Sequence, residues 1–344
     1  MRALRLHEWG GTPVLEEVPE PAPGDGELLV DVEACGVGLT VLNSIRGQLG
    51  GGPADLPRVP GHELVGTVVS VGPGVEPARA GERVAAYFYL FCGRCPRCLA
   101  GTEDLCQRHG GFVGVHRDGG YARRAVLPAR NAVALPDGLD PVLATTVCDA
   151  VATPVHVARR AAVGPGQRVA VIAAGGGVGI HMVQVARAHG ADVAGLEVHP
   201  DKLRYLADEL GVAAVDSSHF AAVRLPEGWD AAADVVVDLL GTPGSLQWGL
   251  DVLGQGGRLV ALTTFPGVGL PVTPRELVFR EISVLGSRYA TRSELALAAR
   301  LVAEGRVRPV VGRREPPERV EAIHDDLRAG RLLGRGALVW QGGR

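Results

Sequence analysis

Two stretches of the chain set residue types at spacings that could do chemistry. The first is CGRCPRCLAGTEDLC, which places Cys92, Cys95, Cys98 and Cys106 in a C-x2-C-x2-C-x7-C pattern. Zinc prefers four tetrahedral sulfur or nitrogen ligands, and four thiolates leave no coordination position open. The spacing therefore points to a structural zinc rather than a catalytic one. The chain has six cysteines in all. Crowding of four of them, behind an N-terminal MRALRLHEWGG that lacks the long apolar core of an export signal, favours metal over disulfides and places the chain in a reducing cytosol.

The second stretch is AAGGGVG, residues 173–179. A strict G-x-G-x-x-G would put glycine at 174, 176 and 179, and Ala174 breaks its first position. The physics is still served by Gly175, Gly176, Gly177 and Val178. Small residues let a backbone approach a pyrophosphate, and a following helix offers free N–H groups and the positive end of its dipole. Glu197 follows about 20 residues on, where a carboxylate bonds the ribose hydroxyls of a dinucleotide and repels the extra phosphate of NADP. Lys202, the only lysine in the sequence, lies close behind it. The reading is a dinucleotide site, with NAD favoured over NADP.

The elements that must position these groups follow from pattern. Residues 1–135 show short apolar runs (LLVDVEACGV, LVGTVVSVG, RVAAYFY) cut by turns such as PAPGDGE and VGPGVEP, which predicts an irregular β-rich domain. From about residue 150 the texture changes. RVAVIAA, DVAGLEV, DVVVDLLG, RLVALTT and SVLGS alternate with helical periods, which predicts an α/β fold with a doubly wound parallel sheet. ELALAARLVAEGRV and ERVEAIHDDLRAG read as late helices and GALVW as a last strand. The chain has 344 residues, enough for two domains. Its net charge of −3 gives no footprint for nucleic acid or an acidic membrane, and no run of 18 apolar residues suggests a span.

With the cysteine lobe and the glycine turn in place, GHELVGTVVSVGPGV (61–75) completes a resemblance to the zinc-type medium-chain dehydrogenase/reductase superfamily, the alcohol and sorbitol dehydrogenase kind. The resemblance covers essentially the whole chain. It implies a GroES-like catalytic domain over 1–150 with the zinc lobe at 91–107, a Rossmann NAD-binding domain over 151–288, and a return to the catalytic domain over 289–344. It also implies hydride transfer between nicotinamide and an alcohol or carbonyl substrate, and a homodimer or homotetramer. His62 and Glu63 match the family's catalytic zinc signature. Asp149 falls where the last protein ligand stands, with Cys148 beside it as a competitor. Thr40 matches the hydroxyl that relays a proton, and Arg335 an arginine on the cofactor pyrophosphate. Phe88 falls at a substrate-pocket aromatic, or packs.

The departures cluster in CGVGLTVLN, residues 35–43. Gly38 stands for the first zinc ligand, Leu39 for a basic residue, Val41 for an acidic one and Asn43 for a relay histidine. Cys35 is expected in the core rather than in the site. Three readings stay open. His62, Glu63 and Asp149 hold a catalytic metal despite Gly38; or the site is free of catalytic zinc and reduces a conjugated C=C or iminium bond; or the chain is a non-catalytic dinucleotide-binding protein.

Overall fold

In the computed structural model, which describes residues 1–340 apart from Ala231 and Thr264, the chain divides into two units. One takes in Met1–Ala152, Ala290–Gly305 and the chain from Pro309 on; the other takes in Thr153–Tyr289 with Arg306–Arg308.

The first unit is β-rich. A small hairpin pairs β1 (Arg2–Arg5) with β2 (Val14–Glu17). The main sheet then uses β3 (Glu27–Val37), β4 (Glu63–Val71), β5 (Arg83–Ala86), β6 (Arg124–Pro128) and β7 (Ala132–Ala134). The late strands β14 (Val311–Glu315) and β15 (Arg335–Val339) complete it, in the order β14-β15-β3-β4-β5-β7, with β6 also on β3. Leu28, Val30, Val32, Leu64, Val65, Val84 and Leu127 are buried in it. Strand β3 is the pivot. It runs antiparallel to β4, with Gly36 opposite Glu63, and antiparallel to β15, with Gly36 opposite Ala337. That register brings the ends of three strands, far apart in sequence, to one place.

The second unit is a six-stranded parallel sheet. Its strands are β8 (Arg168–Ile172), β9 (Asp192–Glu197), β10 (Ala213–Asp216), β11 (Ala233–Asp238), β12 (Leu253–Ala261) and β13 (Ser283–Gly286). They lie in the order β10-β9-β8-β11-β12-β13. Val, Ile and Leu fill the central strands because both faces of a parallel sheet are covered; Val169, Ala170, Val171 and Ile172 are fully buried. Helices Gly179–Ala188, Pro200–Asp208 and Pro243–Asp251 alternate with the strands. The last begins on a capping box: the Thr242 hydroxyl accepts from Ser245 N and the Ser245 hydroxyl accepts from Thr242 N, satisfying two otherwise orphaned donors. The α/β class and the doubly wound sheet read from the sequence are what the structure holds.

One stretch is strongly apolar without being an unbroken apolar run. Pro141–Arg160 is apolar and long enough to cross a membrane by length and composition, and 89% of its most apolar window is buried in the protein. That is the profile of a core segment.

Candidate functional site

The catalytic-side residues meet at the junction of β15, β3 and β4. His62 precedes β4 and Glu63 opens it. Arg335 opens β15, and Asp149 follows the short turn Thr145–Cys148. All four are buried. Two glycines on the chain of β3 make the room. A Cβ on Gly36 would stand 2.9 Å from the Glu63 Cβ, and one on Gly38 would overlap the Arg335 guanidinium, 2.6 Å from its Cζ.

The geometry is tight. Arg335 Nη2 donates to Asp149 Oδ2 at 2.5 Å and lies 3.1 Å from Glu63 Oε1. His62 Nε2 stands 3.6 Å from the same Glu63 oxygen and 4.0 Å from the same Asp149 oxygen. Neither is a hydrogen bond. The His62 Nε2 has no hydrogen-bond partner although the residue is only 4% exposed. The Phe88 ring packs on the imidazole with centroids 4.5 Å apart and fixes its plane. Burial pushes the Glu63 carboxyl up, against the pull of Arg335 and with the help of Asp149. Burial also works against the charge on Arg335, but Glu63 and Asp149 outweigh it and hold the group as a cation.

Each expected residue can be placed. His62, Glu63 and Asp149 converge. Cys148 turns its thiol to the Leu64 carbonyl oxygen at 3.5 Å, which leaves Asp149 as the residue facing the cluster. Cys35 is fully buried. Thr40 is half-buried in the first turn of the helix Leu39–Ile45, Leu39 is 57% exposed and Val41 is in the core. Arg335, expected on a pyrophosphate, lies with its guanidinium against the two carboxylates. Its place was invisible in sequence, because its partners are nearly two hundred residues away or more. The missed signal was a glycine where a side chain was expected: the space it leaves is filled.

The donor set can be tested against a catalytic metal. One imidazole and two carboxylates, with ligand atoms all within 4.8 Å of one another, could in principle grip a divalent ion. Arg335 Nη2 already takes the two oxygens involved. An ion about 2.1 Å from Asp149 Oδ2 would lie within about 4.6 Å of that nitrogen. The guanidinium charge opposes a divalent ion there and competes with it for both carboxylate oxygens. No thiolate at residue 38 offsets this. The residues do not fit a catalytic zinc.

The cysteine lobe gives the opposite result. Sγ–Sγ distances are 3.9 Å for Cys92–Cys98, 3.5 Å for Cys95–Cys98 and 3.9 Å for Cys95–Cys106. A tetrahedral zinc with Zn–S of about 2.3 Å requires edges of about 3.8 Å. Backbone N–H groups of Cys92 and Arg108 point at Cys106 Sγ, and those of Cys98 and Gln107 lower the Cys95 thiol to about 6, while burial and the neighbouring thiols push Cys98 up to about 12. These four cysteines fit a structural zinc.

In the second unit the glycine turn lies between β8 and the helix Gly179–Ala188, beside the end of β9. Gly175 N donates to Glu197 Oε2 at 3.0 Å, and Val198 N to Glu197 Oε1 at 2.8 Å. A Cβ on Gly175 would meet both Glu197 Oε2 and Lys202 Cβ at 2.7 Å. Gly176, Gly177 and Val178 stay half-exposed at the turn. Lys202 is 7% exposed, packed against the turn rather than solvated; burial lowers its pKa and Glu197 opposes that. Sequence reasoning missed Asp238. It ends β11 fully buried and holds the next loop through Leu240 N at 2.7 Å, Gly241 N at 3.0 Å and the Ser245 hydroxyl at 2.8 Å. The signal was an acid closing the apolar run DVVVD.

Comparison with known proteins agrees with both units. Residues 24–137 match the alcohol dehydrogenase GroES-like domain and residues 177–304 the zinc-binding dehydrogenase domain. An alcohol dehydrogenase of Geobacillus stearothermophilus is 32% identical over 97% of this chain and 98% of its own. The chain belongs to the zinc-type medium-chain dehydrogenase/reductase superfamily. Among solved structures, an NAD-dependent alcohol dehydrogenase superposes with TM-score 0.88 at 32% identity, covering 99% of this chain and 100% of that one. A thermostable alcohol dehydrogenase from Pyrobaculum aerophilum, solved with cobalt and zinc bound, gives 0.87 at 31% identity, with 99% of each chain covered.

Proposed function

We infer that this protein is an NAD(H)-dependent oxidoreductase of the alcohol dehydrogenase type, which moves a hydride between nicotinamide and an alcohol or carbonyl substrate. The observation that carries the reading is the sheet order of the second unit. The order reverses between β8 and β11, and the glycine turn that Glu197 braces leaves the sheet at that point. This is where open α/β sheets bind dinucleotides. Gly175, Gly176, Gly177 and Val178 present backbone to the pyrophosphate, and Glu197 with Lys202 fixes the adenosine side and favours NAD over NADP.

Bound NAD supplies the hydride acceptor, and NADH the donor. The protein must hold the substrate oxygen and move one proton. Thr40 is assigned the proton exchange with that oxygen. The unpartnered His62 Nε2 offers the buried hydrogen bond to it, with Glu63 and Asp149 as the acid/base reserve behind. Asn43 gives no imidazole relay, so the proton path beyond Thr40 differs from the family pattern. The four cysteines hold a structural zinc. We assign residues 1–150 and 289–344 to the catalytic domain and 151–288 to cofactor binding. We also place the chain in the cytoplasm as a homodimer or homotetramer, with a small-molecule substrate and neither nucleic acid nor membrane as partner. Large exposed apolar side chains at Phe265, Leu270, Val278 and Phe279 support self-association.

A second reading is favoured by one observation, the guanidinium among the carboxylates. With no open metal position, reduction of a conjugated C=C or an iminium bond asks for less polarisation than a ketone does. The test is NADH consumption against matched panels of aldehydes, ketones and conjugated enones. Turnover of simple carbonyls supports the main reading, and turnover of enones alone supports the second. Tight NADH binding with no consumption by either panel leaves a non-catalytic dinucleotide-binding protein.

A further inference from the structure

We propose that the Arg335 guanidinium is the resident cation of this active site, taking the place a catalytic metal holds in zinc-type relatives, and that Gly38 is the residue that admits it. The backbone at residue 38 argues for this first. Its φ of −129° and ψ of −178° are extended values that any residue adopts, so glycine is not there for its conformational freedom. A side chain at residue 38 would instead oblige the guanidinium to move, because a Cβ would stand 2.6 Å from its Cζ.

The charges argue the same way. Two buried carboxylates need a cation between them. Arg335 Nη2 supplies it through the same two oxygens, Asp149 Oδ2 and Glu63 Oε1, that stand within 4.0 Å of His62 Nε2. Register sets the arrangement. Strand β15 pairs with β3 from Gly336↔Val37 onward, and β3 pairs with β4 through Gly36↔Glu63, so Arg335 emerges next to Gly38 and beside Glu63. A guanidinium donates fixed hydrogen bonds and cannot accept a ligand lone pair. The site therefore keeps a positive charge, single where a zinc would bring two, and gives up the open coordination position of a metal centre.

The test is zinc per chain on purified full-length protein, dialysed against excess zinc and then freed of loose ion by gel filtration. The wild type is expected to hold one zinc, lost in Cys98→Ser. A wild-type value of two, or one zinc that survives Cys98→Ser, overturns the proposal. The double variant Gly38→Cys/Arg335→Ala restores a thiolate beside His62 and Asp149 and removes the guanidinium, and it is expected to rise to two. A value that stays at one overturns the claim that these two residues exclude the metal. The wild-type measurement stands whether or not the variant folds. The proposal deepens the oxidoreductase reading, and the two fail separately. Two zincs with ketone turnover sinks this proposal alone, whereas one zinc with no turnover of any acceptor sinks only the oxidoreductase reading.

Discussion

Remove the Arg335 side chain and the buried carboxylates of Glu63 and Asp149 face each other without a cation. Breaking a buried ion pair by deleting one partner costs about 3–5 kcal/mol, because the other charge stays buried and uncompensated. Arg335→Met is therefore expected to lower the free energy of unfolding of the first unit by about that amount, read from urea titrations. A loss under about 1 kcal/mol, the range of exposed pairs, would mean that the guanidinium is not shared as the distances indicate. The residue scale is also where sequence reading was most uneven. His62 and Glu63 were legible because the motif GHELVG is local. Arg335 was legible as a residue but not in its place. Nothing near it in the chain announces that β15 will lie against β3, and the carboxylate it bonds is 186 residues away.

At the scale of elements, the strand-turn-helix of the second unit concentrates cofactor binding into a few backbone groups. Gly175 lets the turn close onto Glu197 and Lys202 with no side chain between them. Gly175→Ala is expected to push Glu197 off Gly175 N and weaken NADH binding roughly tenfold, about 1.4 kcal/mol, while the far-ultraviolet circular dichroism is unchanged. Titration of NADH fluorescence reads the affinity, and an unaltered dissociation constant would show that the turn relaxes without reaching the cofactor. This element was legible from sequence because its signals are short-range: an apolar strand, small residues, a helical period, then an acid at the end of the next strand. Ala174 replaces one glycine of the strict pattern, and the turn still forms, with Ala173 at a φ of 60°. The main sheet of the first unit was legible only as many short strands. Its pairing depends on contacts distant in sequence and on bulges between β3 and β4 that no local period reveals.

For the whole molecule, the large apolar side chains left in water matter most. Val278 and Phe279, on the helix Pro274–Arg280, are 68% and 66% exposed, and Phe265 and Leu270 lie just before them at 52% and 47%. These four lie within residues 265–279, apart from other exposed apolar side chains such as Leu99, and their grouping argues for a contact between copies of the chain. Val278→Asp is expected to shift the protein toward monomer in sedimentation velocity without lowering NADH affinity. Sedimentation of wild type and variant as the same species would remove this segment from the interface.

The overlap at residue 38 has a consequence for how such a chain could change over generations. A single substitution that places a cysteine at position 38 puts its Cβ where the guanidinium lies, so the arginine must swing off its two carboxylates. Loss of Arg335 alone strands two carboxylates. Each single change therefore leaves the two carboxylates without the cation that now balances them. Substitutions at the two positions are therefore expected to be non-additive, each altering the cost of the other.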